Sequence, residues 1–295
     1  MTNFLEFTTF DYPGGYLEQL KSLPDSVPVL GTLVRQSVIH RTTLESGNVG
    51  TNSDLRFGDM KKVSQFRQAD DDYLVTAAAM LAELYRLDVR GLVADRDVTN
   101  KIVVTCRFVS ILMSSILKTK GIPVRIRSGF AGYFDDNKDR TVWDHWVNEY
   151  WNGKKWVLID VDGSFSMDKS GLNPYDLPYD HSFIFGHQAW LNLRKNNDDP
   201  ATYQNAGGYH GLLPAAWALI YDFHAVMGRP MTYLQTAKSV IFALGEPWKN
   251  QEIDEAKAQE LDTLAHAMKN IEENWEKLLT FWQNSEFRLV RGGLL

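Results

Sequence analysis

The strongest constraint in this chain is a change of period at Gly121-Ile122-Pro123. Ahead of it, Phe108, Leu112 and Ile116 form one row and Val109, Met113 and Leu117 the next. That spacing is the signature of a buried helix face. A glycine followed two residues on by a proline ends such a helix, because one tolerates a left-handed cap and the other cannot continue it. After it the period becomes that of strands, over 124–134, 144–150 and 155–161. Asn152-Gly153 between the last two is a two-residue hairpin signal. The centre of the chain therefore reads as a helix, or a short buried run leading into one, over 102–120, followed by about three antiparallel strands. That is an α+β arrangement.

The flanking regions read as helical. The first 60 residues mix short apolar runs with turn signals such as Pro13-Gly14-Gly15 and Gly58-Asp59, which predict short helices and loops. Asp70-Asp71-Asp72 opens a predicted helix whose stripe is Leu74, Ala77, Ala78, Leu81, Leu84 and Tyr85. Helices are expected at 189–194 and 213–227. The last one, at about 253–284, carries Leu261, Leu264, Met268, Ile271, Trp275, Leu278 and Trp282 as a heptad-like seam. Such a seam either packs on its own core or joins two copies as a homodimer. The expected division is 1–170, holding the helix-and-sheet centre, and 171–295, a helical extension packed separately or into the same globule.

Charge and cysteine usage narrow the function. Lys and Arg number 31 against 37 for Asp and Glu, a net charge of -6, so neither nucleic acid nor an anionic membrane is the expected partner. The most apolar long stretch, 212–220, is too short to span a bilayer and contains Pro214. The first residues lack the basic and apolar regions of a signal peptide, so the expected compartment is the cytoplasm. There is one cysteine, Cys106. It excludes an intramolecular disulfide framework and any multi-cysteine metal site. It leaves a buried inert thiol, a regulatory thiol or a nucleophile.

The position of Cys106 at the head of the helix favours the last, since a helix N-terminus stabilises a thiolate. His145 lies on the strand 144–150, where a side chain can be held at a fixed distance from a packed helix. Asp160 ends the next strand. A two-residue turn at Asn152-Gly153 would set His145 opposite Asp160, the placement in which a carboxylate fixes an imidazole tautomer. Asp162 on the same face and Asp144 on the other are alternatives. The backbone N–H of Cys106 is the expected oxyanion donor, with Gln36, Asn100 or Thr105 as candidates for a second. No cofactor and no metal site are expected. His181, His187 and His210 lack the spacing of a ligand set, and Asp135 to Asp139 lacks that of a calcium loop.

Three segments together carry a resemblance. Cys106-Arg107, Ser110, Ile116-Leu117 and Gly121-Ile122-Pro123-Val124-Arg125 are similar to the nucleophile helix of the transglutaminase-like superfamily. His145-Trp146-Val147, Glu149-Tyr150 and Trp156-Val157, Asp160 resemble its next two motifs, in the same order. The resemblance covers about 105–162, and a weaker one at His181 to Arg194, Asp198-Asp199-Pro200 and Asp222-Phe223 is to the C-terminal helical region of an uncharacterised bacterial branch. The first implies a papain-like core and a catalytic triad of Cys106, His145 and Asp160. It also implies an acyl-thioester on Cys106 formed from an amide or ester of a peptide, protein or small molecule. Water would then make the protein a peptidase or amidase, an amine an acyltransferase. A catalytically silent binding module, or a scaffold whose C-terminal helices assemble, are the alternatives. The chain departs from the eukaryotic transglutaminases in having no tryptophan before Trp143, and it has Val104 where the superfamily often has glycine.

Overall fold

The computed structural model describes residues 2–134, 141–180, 182–232, 254–285, 287 and 288. It is 49% helical and 14% strand, with a largely antiparallel sheet, which is a mixed α+β chain. The chain forms two compact units, Met1–Ile126 with Val147–Leu177, and Arg127–Trp146 with Pro178–Leu295. A single division at 170 is therefore not how the contacts fall. Residues 127–146 go with the C-terminal half, and the chain crosses between units within two strands, β3 (Val124–Ala131) and β4 (Val142–Trp151).

In the first unit, β2 (Ile102–Val104) runs through Thr105 into helix α6 (Cys106–Thr119). All of α6 but its last residue is buried. Helices α1 (Leu17–Lys21), α2 (Val27–Ser37) and α5 (Ala77–Leu87) pack on it. Its end follows the expected chemistry: Gly121 takes φ 73° and the Ile122 N–H reaches back 2.9 Å to the Leu117 carbonyl. Two buried polar links tie the helix down. Lys118 Nζ and Ser114 Oγ both bond Asp11 Oδ2, at 2.6 and 2.9 Å. Asn148 Nδ2 on β4 donates to the Ser110 carbonyl at 3.0 Å.

Beside β2 lies a strand that the sequence did not announce. β1 (Val38–His40) pairs with it in parallel, matching His40 to Val104. The pair is held by an apolar cluster of Ile39, Leu44, Phe57, Met60, Val63, Val98 and Val103. In the same unit β5 (Trp156–Ile159) pairs antiparallel with the end of β4, from Trp151↔Trp156 to Asn148↔Ile159. Arg125 Nε meets Glu149 Oε2 at 2.6 Å, both buried.

The second unit has its own core. Strand β6 (Phe183–Phe185) pairs with Gly129–Ala131, and β7 (Tyr203–Gln204) with Val142–Trp143. Helix α7 (Gly186–Arg194) packs on α8 (Leu212–Val226) so closely that a Cβ at Gly186 would collide with the backbone of Ala218 and Leu219. Arg127 and Asp222 form a buried bidentate pair, Nε–Oδ1 and Nη2–Oδ2 both at 2.8 Å. The Ser128 N–H adds a third bond to Asp222 Oδ1 at 3.0 Å. Among the described residues no helix is long and apolar enough to cross a membrane.

Three expectations need correction. The Asp70–Asp72 run does not open the long helix; it forms the short turn α4 (Asp70–Tyr73). The carboxylates of Asp70 and Asp71 instead accept the N–H groups of Val103 and Thr105, at 3.1 and 2.9 Å, and so fix the approach to Cys106. The long helix is α5, capped by Thr76. The hairpin turn spans four residues, 152–155, because Asn152 Oδ1 accepts from both the Lys154 and Lys155 N–H groups. The expected frame, with His145 opposite Asp160, is thus not the observed one. The ladder is shifted by two residues, which leaves each side chain on its own face, and it stops at Asn148↔Ile159. Finally, the C-terminal seam is two helices, Glu255–Met268 and Trp275–Asn284, rather than one. Leu261, Leu264, Met268, Ile271 and Leu278 are buried within this chain.

Candidate active site

Thr105 is the extended residue that turns β2 into α6, and it places Cys106 at the first helical position. Cys106 is in no disulfide and is only 3% exposed. The Thr105 backbone N–H is committed to Asp71, while its Oγ1 is buried without a hydrogen-bond partner among the described residues. Burial pushes the Asp71 carboxyl up to about 6, against the pull of the Thr105 N–H and of His40 and Arg41.

Two side chains of the first unit meet Cys106. One ring nitrogen of His40, the Cys106 Sγ and one carboxylate oxygen of Asp162 all lie within 4.8 Å of one another. His40 comes from the end of β1, and Asp162 from the turn that follows β5. The His40 Nε2 is 3.6 Å from Asp162 Oδ2, longer than a hydrogen bond. Asp162 is 8% exposed, and its Oδ1 has no hydrogen-bond partner among the described residues. The buried Arg35 guanidinium lies in the field of Asp162 and Asp160; burial lowers its pKa and these carboxylates oppose that. Its carbon sits 4.0 Å from the Phe57 ring centre.

The residues expected from sequence fall as follows. Cys106 and Asp160 belong to the first unit and His145 to the second. Asp160 is 1% exposed; its N–H bonds the Pro174 carbonyl and its Oδ1 accepts the Gly163 N–H, both at 2.8 Å. His145 is 3% exposed on β4, with Phe134 edge-on at 4.8 Å between ring centres. Asp144 Oδ1 accepts the Ala206 N–H at 3.3 Å. His187 stacks on Phe185, and His210 is exposed in an isolated antiparallel bridge to Gln204. His181 and residues 135–139 lie outside the described residues.

His40 is the residue that sequence reasoning missed. A histidine at the end of a three-residue strand carries no periodicity, and its neighbourhood arises from parallel pairing with a segment far along the chain. Chemically, a thiol, an imidazole and a carboxylate in one buried cluster are the ingredients of nucleophilic thiol chemistry. They are also donor types that bind a transition metal. The hydrogen bonds on His40 bear on which. The Thr42 N–H donates to His40 Nδ1 at 3.2 Å, and the Thr42 hydroxyl lies 2.7 Å from the same nitrogen. A nitrogen that accepts a backbone N–H carries no proton, so the neutral ring bears its proton on Nε2. In that tautomer Nε2–H is a donor.

No family model matches the chain, and no curated protein or solved structure matches it significantly.

Proposed function

We propose that this protein is a cysteine-dependent acyl-transfer or amide-hydrolysing enzyme with the papain-like core and chemistry of the transglutaminase-like superfamily. The observation that carries this is the setting of the only cysteine. Cys106 heads a 14-residue buried helix, with an imidazole and a carboxylate within 4.8 Å. A helix N-terminus stabilises the thiolate, and an inert core thiol needs no such polar company.

In this reading Cys106 Sγ attacks the carbonyl carbon of an amide or ester. The new S–C bond forms as the thiol proton passes to His145, the base that the resemblance assigns, with Asp160 as its orienting carboxylate. The tetrahedral oxyanion collapses, the C–N or C–O bond breaks, and the proton on His145 leaves with the amine or alcohol. Water or a second amine then attacks the thioester, giving a carboxylic acid or a new amide and restoring the thiol.

The test uses the full chain and p-nitrophenyl acetate as acyl donor, with and without methylamine. Intact-protein mass spectrometry is expected to find an acetyl group on Cys106 that hydroxylamine removes. Cys106→Ala should lose the adduct and at least about 10³-fold in turnover, with its melting temperature unchanged. A wild-type protein that takes no acetyl group, or an alanine variant that turns over normally, overturns the proposal. Acceleration by methylamine selects transfer over hydrolysis.

A further inference from the structure

An acyl-enzyme cycle on Cys106 needs a second group to hold the oxyanion, besides a backbone N–H of the helix. The device of the eukaryotic transglutaminases, a tryptophan ahead of the cysteine, is missing here. His40 meets the requirement on three counts. Its Nδ1 accepts from Thr42, which fixes the proton on Nε2. The ring stands within 4.8 Å of the Cys106 Sγ. An oxyanion donor lies about 3 Å from the oxygen it serves, and so about 4–5 Å from the sulfur that bears the same carbon. The third count is Asp162. It lies beside the ring with one buried oxygen that has no hydrogen-bond partner among the described residues. Its negative charge favours the imidazole that presents an N–H.

We propose that His40 Nε2–H is the second oxyanion donor for Cys106, with Asp162 as its positioning residue. This rests on the acyl-enzyme reading above and adds a role to it. The imidazole gives no proton away: it donates one hydrogen bond to the oxygen as charge develops and keeps it until the intermediate collapses. The same hydrogen bonds set His40 aside as the base that activates the thiol, because the nitrogen with a lone pair is turned to Thr42.

Two probes of the same thiol separate these roles. Acetylation by p-nitrophenyl acetate passes through an oxyanion, whereas alkylation by iodoacetamide does not. In His40→Ala the acetylation rate at Cys106 is expected to fall about 10²-fold or more. Alkylation in the same variant should stay within about twofold of wild type, since no oxyanion forms on that path. His40→Gln, whose amide N–H can donate, should keep acetylation within about tenfold of wild type. His40→Asn caps α3 (Arg41–Ser46) but is too short to donate to the oxyanion, so it should behave like the alanine variant. If His40→Ala does not fold, His40→Asn against His40→Gln makes the same comparison. Acetylation that is unchanged in these variants overturns the assignment. So does a parallel fall in acetylation and alkylation, which would make His40 a group that governs the thiolate or the local fold. A wild-type protein that is never acetylated overturns the acyl-enzyme reading itself, and this proposal with it.

Discussion

Asp222 and Asp162 are both buried aspartates, 0% and 8% exposed, yet they are placed in opposite ways. Asp222 in the second unit accepts two bonds from Arg127 and one from the Ser128 N–H. Its acceptor sites face donors fixed by the fold, and its burial is explained by structure alone. Asp162 in the first unit has one oxygen without a hydrogen-bond partner among the described residues and the other 3.6 Å from an imidazole. The turn after β5 does not use its side chain as a cap. A buried carboxylate left in that state costs stability, and the chain keeps it beside its only cysteine. The contrast separates a polar group whose bonds join elements of the fold from one that lies beside a thiol and an imidazole.

The comparison breaks most visibly at Asp222. Asp222→Ala leaves the Arg127 charge buried without its carboxylate, and about 3–5 kcal/mol of stability should be lost in urea unfolding. Acetylation of Cys106 measured under native conditions should hardly change. The second unit also holds a pH effect. Burial pushes His224 down to about 4, with its Nε2–H given to the Phe287 carbonyl at 2.7 Å. The unfolded chain binds this proton with a pKa of about 6.5, so from pH 6.5 downward it takes up more protons than the folded chain. Stability should therefore fall as pH drops through that range, by up to about 3 kcal/mol near pH 4. His224→Gln should flatten that part of a stability-against-pH curve, and an unchanged slope would remove the assignment. The smallest effect is expected at Asp162. Among the described residues Asp162→Asn breaks no hydrogen bond within the usual limit, so stability should change by no more than about 1 kcal/mol in either direction. It should nevertheless slow acetylation of Cys106. A loss as large as that of Asp222→Ala would erase the distinction between the two.

The sequence carried the first half of this contrast better than the second. Helix α6 and strands β3 to β5 were legible because their apolar residues repeat with a local period and their ends are marked by Gly121, Pro123 and Asn152. The same locality explains the misses. The frame of the β4–β5 pair depends on whether Asn152 Oδ1 binds the next two backbone amides, a choice between two turns that the same residues permit. The C-terminal seam keeps its spacing through a break. Between Lys269 and Asn274, Asn270 bonds the Glu273 carboxylate and the chain leaves the helix. His40 was beyond reach, since nothing near it in sequence says that 38–40 will lie beside 102–104. Asp162 was legible as the alternative on the face of Asp160, and it lies in the cluster with the thiol.

The three crossings of the chain between its units have a consequence for how the molecule is made. The first unit is written in two separate stretches, and a ribosome delivers them in order. When residues up to 126 have emerged, Cys106 and His40 are present and Asp162 is not yet translated. Domains generally condense as units during synthesis, so the unit that holds Cys106 must wait for residue 177. A ribosome paused before that point would hold a nascent chain in which the cluster of His40, Cys106 and Asp162 still lacks its carboxylate.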